Sequence, residues 1–151
     1  MKVSIGADHC GVDLRQQLIQ YLQKQGFDII DHGTLSRDSV DYPDYAQLVG
    51  EDVVKGKADF GILVCDSGMG ICMAANKIRG IHAAILYNND IARFCKEHNN
   101  ANVVCFGGKY QTPYMAEQFL ETYLNSKYEG GRHDRRLNKM DALSDLNLAK
   151  R

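Results

Sequence analysis

The 151-residue sequence contains no tryptophan, only two prolines and no long uninterrupted apolar segment. A membrane-spanning helix needs roughly 20 consecutive apolar residues, so no membrane partner is expected. The N-terminal MKVSIGADHCG has one lysine and a very short apolar run, which does not make a signal peptide. Basic residues are not in excess: 18 Lys and Arg against 19 Asp and Glu give a net charge of -1. That argues against nucleic acid as a partner, because such binding rests on neutralising phosphates. No CxxC pair occurs among Cys10, Cys65, Cys72, Cys95 and Cys105. An odd cysteine count without a secretory signal reads as reduced thiols in a cytoplasmic protein. Nucleotide signatures are missing too. There is no GxxxxGK[ST], and Met73 stands where the third glycine of GxGxxG would follow Gly68 and Gly70. A Cys-x5-Arg phosphate loop fails, since the sixth residue after Cys65 is Ile71. Asp8, His9, His98 and His133 are metal-ligand types, but no paired ligand spacing joins them, so no metal is expected.

What remains is a chain of one domain's length, 44% hydrophobic and 25% charged, without repeats or low-complexity segments. Residues 1–151 read as a single domain in which strands and amphipathic helices alternate. KVSIGA (2–7) is a short strand, after which Val12, Leu14, Leu18, Ile19 and Leu22 recur at helical spacing until Gly26. FDIIDHG (27–33) is the second strand. A helix through Tyr45, Leu48, Val49 and Val53 begins near Pro43. FGILVC (60–65) is almost unbroken apolar, as suits a strand buried on both faces of a parallel sheet. A third helix starts near Gly70, and HAAILY (82–87) is the fourth strand. Asn88 or Asn89 caps a helix through Ile91 and Phe94. ANVVCFGG (101–108) is the fifth strand, followed by a helix through Met115, Phe119, Leu120 and Tyr123 after Pro113. A last amphipathic helix is expected over about 135–149, through Leu137, Met140, Leu143, Leu146 and Leu148. Repeated strand–helix units predict an α/β three-layer sandwich, a Rossmann-like parallel sheet flanked by helices.

Ligands of such sheets bind beyond the carboxyl ends of the strands. The reading places Asp8-His9, Cys65 and its turn, His98-Asn99 and Gly107-Gly108-Lys109 on that one edge. The most informative stretch is LVCDSGMGICMAANK (63–77), in which a cysteine ends a strand and faces backbone amides at a helix start. Such amides hold a phosphate or a developing oxyanion. Their partial positive charge lowers the pKa of a nearby thiol, and a base with pKa near the working pH accepts protons efficiently. Asp66 opposes this if it faces the sulfur. Blander readings exist: a buried strand-end cysteine, Asp8 as a helix cap, His98-Asn99 as a helix C-terminus. GGRHDRR (130–136) puts three arginines and a histidine within five residues. Arg132 and Arg136 lie four apart, so on a helix they share a face and suit a phosphate clamp; a solvated patch is the alternative. A poised thiolate, an oxyanion cradle, a histidine and an arginine clamp together fit proton abstraction beside a carbonyl in a phosphorylated small molecule. Sugar-phosphate isomerisation is one such reaction.

These residues also carry a family resemblance. GADHCG (6–11), DYPDYA (41–46), CDSGMGICMAANK (65–77), EHNNANVVCFGG (97–108) and YEGGRHDRR (128–136) resemble ribose-5-phosphate isomerase type B. The wider group includes galactose-6-phosphate and allose-6-phosphate isomerases. The likeness spans nearly the full length. It implies a five-stranded parallel sheet of order 2-1-3-5-4 and a homodimer, or a dimer of dimers, with active sites at the subunit interface. The C-terminal helix would pack on the dimer partner. The implied reaction interconverts ribose 5-phosphate and ribulose 5-phosphate through a cis-enediolate, without metal or cofactor. By position, Cys65 would be the base moving a proton between C1 and C2, and Ser67 the hydroxyl assisting transfer between the oxygens. The amides of Ser67, Gly68, Met69 and Gly70 would hold the enediolate. His98 would open the furanose ring, with Asp8 and Tyr42 near the sugar, and Asn99 would bind the enediolate oxygens or the sugar. His9, Arg132 and Arg136 would hold the phosphate.

The sequence departs from the family pattern in three places. Asp66 stands where the family usually has Gly, which bears on the local backbone and on Cys65. Lys109 stands where many relatives have Arg, losing the bidentate fork while keeping the charge. Ser67 replaces a usual Thr, leaving more room for a longer sugar. A six-carbon sugar phosphate is therefore the second candidate substrate. A sugar-phosphate-binding or thiol-sensing protein without catalysis is the reading of a different class, and Asp66 is its best support.

Overall fold

Where apolar residues run unbroken the chain extends; where they recur every third or fourth position it coils. In the computed structural model, which describes residues 1–146, that alternation gives β1 (Lys2–Ala7), α1 (Val12–Lys24), β2 (Asp28–Asp31), α2 (Tyr42–Val54) and β3 (Phe60–Cys65). There follow α3 (Met69–Ala75), β4 (Ala83–Ile85), α4 (Asn89–Glu97), β5 (Val103–Gly107), α5 (Pro113–Leu124) and α6 (Arg132–Ala142), which runs into a 3-10 turn at Leu143–Asp145.

The strands form one parallel sheet in the order β2-β1-β3-β5-β4. β3 is central and all six of its residues are buried, which explains its unbroken apolar run. On one face Leu14, Leu18, Ala92, Cys95, Phe119 and Leu120 from α1, α4 and α5 pack with Ile5, Ile62 and Val104. On the other, Val49, Ile71, Cys72 and Ala75 from α2 and α3 pack with Leu63, Cys65 and Cys105. The result is the expected three-layer sandwich.

Local chemistry sets the element ends. Asn88 caps α4, its side chain accepting the Ile91 N–H at 2.8 Å. Asp8 does not cap α1; its Oδ1 accepts the Cys10 N–H at 2.9 Å, and Gly11 occupies the N-cap. β4 is shorter than the expected 82–87. It is an edge strand, and the His82 amide donates to the Asn102 side chain at 2.8 Å. The last helix also differs from the expected 135–149. Gly131, at a φ of 59°, turns the chain so that α6 begins at Arg132, and it ends at Ala142. Leu148 lies outside the described residues. α6 turns His133 and Leu137 inward, while Met140, Leu143 and Leu146 are 43%, 61% and 62% exposed.

Strand direction fixes two different edges. Cys65 pairs with Gly107 at the carboxyl edge. The α4–β5 link lies at the amino edge, where the Asn102 carbonyl accepts the Gly61 N–H at 2.9 Å. Gly61 and Cys65 are four strand residues apart, about 13 Å at the usual rise.

Candidate active site

The carboxyl edge is built around Cys65. Its sulfur is buried, and the Gly68 amide donates to Sγ at 3.2 Å. Gly68 takes a φ of +83°, and an added Cβ would lie 3.0 Å from the Phe106 carbonyl carbon, so the turn requires glycine. Ser67 Oγ accepts the Met69 N–H at 3.2 Å. No side chain accepts from the amides of Ser67 and Gly70 among the described residues. Tyr42, at the first turn of α2, lays its ring over Gly70, where a Cβ would sit 2.7 Å from the ring's Cζ. The same edge carries Asp8, whose amide donates to the Val64 carbonyl at 3.2 Å. Burial pushes the Asp8 carboxyl up from its ordinary value, against the pull of the Cys10 amide. His9 Nδ1 accepts the Val40 N–H at 3.1 Å, which assigns the ring proton to Nε2. Lys109 is exposed beside them, its amide donating to the Asp66 carbonyl at 3.1 Å.

Asp66 is accommodated without strain: Asn100 is the sole non-glycine residue at positive φ among the described residues. Asp66 is exposed, and its charge acts on Asp8, whose carboxyl it helps push up. Of the other buried thiols, Cys72 is pulled down by a hydrogen bond with Cys105, whereas Cys95 and Cys105 make poor bases. Burial pushes Cys95 to about 11 and Cys105 well up.

His98 and Asn99 do not join this edge, contrary to the expectation from sequence. The return helix of a parallel unit starts at the carboxyl edge and ends at the amino edge, so the end of α4 is carried away from Cys65. Asn100, at a φ of 47°, closes the helix, with the Ala101 amide reaching back to the Cys95 carbonyl at 2.9 Å. A cleft of about 830 Å³ opens here between Asn99, His82, Gly80 and α6. His98 stacks on Phe94 at 4.8 Å between centroids and on His133 at 4.5 Å. Arg132 and Arg136 are exposed on α6 on either side of His133. One chain thus groups Cys65, Ser67, Gly68, Met69, Gly70, Asp8, His9, Tyr42 and Lys109 at one edge. It groups His98, Asn99, Arg132 and Arg136 at the other.

Sequence reasoning missed Phe94 and Glu129 and gave His133 no role beyond a possible ligand. The four-residue spacings Phe94–His98 and Glu129–His133 were the available signals. Ligand atoms of His98, Glu129 and His133 lie within 4.8 Å of one another. The two imidazole planes are only 15° apart, however. Imidazole lone pairs lie in the ring plane, and two near-parallel stacked planes do not meet at metal-bond length. Asp8, His9 and Cys10 form a second such group, in which His9 Nδ1 and Asp8 Oδ1 already accept backbone amides.

The fold recurs in known proteins. The ribose/galactose isomerase family model matches residues 3–140. The chain is 37% identical to ribose-5-phosphate isomerase B of Escherichia coli K12 over 142 residues, covering 94% of this chain and 95% of that one. The solved ribose-5-phosphate isomerase B of Clostridium thermocellum superposes with a TM-score of 0.94 at 40% identity, covering 96% of this chain and 98% of that one. The Mycoplasma genitalium enzyme with bound ribulose 5-phosphate gives 0.90 at 36% identity, with 95% and 96% covered. The chain belongs to the ribose/galactose isomerase family.

Proposed function

We propose that this chain interconverts ribose 5-phosphate and ribulose 5-phosphate through a cis-enediolate. The observation that carries the reading is the buried Cys65 sulfur receiving the Gly68 amide at the head of the glycine turn. His98 takes the O1 hydroxyl proton of the furanose and delivers a proton to the ring oxygen, which opens the sugar. Cys65, as thiolate, removes the C2 proton. The electron pair moves onto O1, where the amides of Ser67, Gly68, Met69 and Gly70 meet the developing charge. Ser67 assists proton movement between O2 and O1, and Cys65 returns its proton to C1. Asp8, Tyr42 and Asn99 contact the sugar; His9, Lys109, Arg132 and Arg136 hold the phosphate.

The two edges require a second copy of the chain: one protomer supplies the Cys65 edge, its partner His98 and the arginines. Apolar side chains are exposed where such a contact would form. Met69 and Met73 beside the Cys65 turn are 60% and 67% exposed, and Met140 near the end of α6 and Leu143 and Leu146 just after it are exposed too. We read 1–151 as one domain whose C-terminal helix packs on the partner. Among the described residues no helix is long and apolar enough to cross a membrane, and all five cysteines are free thiols. Both fit a cytoplasmic enzyme.

The test is isomerase activity on ribose 5-phosphate, with a chelator present, for the parent and Cys65→Ala. Turnover that falls roughly 10³-fold in the variant supports the reading. Turnover that survives places the base elsewhere. A six-carbon sugar phosphate is the second reading, favoured by Ser67, which lacks threonine's methyl group. It predicts faster turnover of allose 6-phosphate or galactose 6-phosphate in the same assay.

A further inference from the structure

Ring opening as proposed uses only His98, yet the structure surrounds that imidazole with more machinery. Phe94 lies nearly parallel to it, 20° away, and His133 lies 15° away. His133 is 5% exposed, and its Nε2 is fully buried without a hydrogen-bond partner. The nearest carboxylate is Glu129, whose Oε2 lies 3.4 Å from that nitrogen. An apolar ring would fill the same space without burying an unpaired nitrogen, so packing alone does not account for histidine here. The turn that carries Glu129 is itself anchored. The Glu129 amide donates to the Glu97 carbonyl at 3.0 Å, at the last turn of α4. The Tyr128 hydroxyl donates to Asp134 Oδ1 at 2.7 Å, clasping the turn to α6. His133 is therefore presented to His98 by α6, which is clasped to a turn that is itself tied to α4.

We propose that His133, whose buried Nε2 faces Glu129, is a positioning residue for ring opening. It fixes the plane of the His98 imidazole, so that one ring nitrogen meets both the O1 hydroxyl and the ring oxygen of a cyclic sugar phosphate. The second torsion of a histidine side chain is broad, and stacking narrows it before substrate arrives. The inference rests on the isomerase reading. Enediolate chemistry takes place at Cys65 and does not use this stack.

That separation supplies the test. Ribulose 5-phosphate has its carbonyl at C2 and its C5 oxygen phosphorylated, so it cannot close a furanose ring and binds open. Exchange of its C1 proton with deuterium from the solvent needs the Cys65 base and the groups that hold sugar and phosphate, but no ring opening. Conversion of cyclic ribose 5-phosphate needs ring opening as well. Both rates are measured for the parent, His133→Leu, Glu129→Gln and, as the reference pattern, His98→Ala. The expected result for His133→Leu is ribose 5-phosphate turnover reduced roughly 10- to 100-fold, with deuterium exchange into ribulose 5-phosphate within about threefold of the parent. Glu129→Gln, at a half-exposed side chain that the fold tolerates, shows the same split at several-fold. Thermal unfolding checks that each variant is folded. Two rates falling in proportion, or both unchanged, would overturn the proposal. A parent that neither turns over ribose 5-phosphate nor exchanges the C1 proton of ribulose 5-phosphate removes the isomerase reading itself, and the proposal with it.

Discussion

The two edges of the sheet are built differently. The carboxyl edge is rigid and closed: Cys65 is buried, Gly68 is wedged against Phe106, and Gly70 lies under Tyr42. The amino edge is open and basic: His98 is half-buried, Asn99 is exposed, and Arg132 and Arg136 face solvent. Carbon-acid chemistry needs fixed donors around a developing charge, which backbone amides on a glycine turn supply. Ring opening and phosphate capture need long side chains that reach, which a helix start and a helix end supply. On the proposed reading neither edge is a complete site, and the two are separated along the strands.

The comparison can be broken first at the rigid edge. Gly68→Ala puts a side chain at a φ of +83° and against the Phe106 carbonyl. The expected cost is about 1–2 kcal/mol of stability, with turnover reduced roughly 10²-fold because the amides move off the enediolate. Thermal melting and steady-state kinetics read both. At the open edge, Arg132→Ala leaves the melting temperature unchanged, since the residue is exposed. It raises KM for sugar phosphate roughly tenfold while kcat changes less.

A smaller effect lies away from both edges. Asp52 accepts from Ser4 Oγ at 2.9 Å and pairs with His32 Nε2 at 2.6 Å, tying α2 to β1 and the end of β2. Burial pushes its carboxyl up, but the bonds from His32 and Ser4 outweigh that and hold it below its ordinary value of 3.8. A depressed carboxylate stabilises the fold fully above its unfolded value, and that contribution is lost as pH falls through the folded value. Asp52→Asn is therefore expected to flatten the loss of stability below about pH 4, as read by denaturant melts across pH. An unchanged acid limb would show that the tie contributes nothing.

Much of this was legible in the residues. Helical and strand periodicity located every element, and the Cys65 turn announced its chemistry through adjacent glycines. The sheet order came from the family resemblance, since periodicity does not say which strands pair. His98 was assigned to the wrong edge because a list of polar groups after strands ignores the direction of the return helix. The start of α6 was missed because the apolar periodicity begins only at Leu137, whereas Gly131 turns the chain into a helix at Arg132. The stack of Phe94, His98 and His133 depends on bringing 98 and 133 together, a tertiary contact that no local spacing shows.

The most direct measurement of the central claim is complementation between Cys65→Ala and His98→Ala. Each variant alone is expected to be nearly inactive on ribose 5-phosphate. Mixed by unfolding and refolding together, statistical pairing makes half the dimers mixed, each with one intact site, so about a quarter of parental activity returns. A mixture that stays as inactive as its components would contradict a site built from the Cys65 edge of one protomer and the His98 edge of its partner.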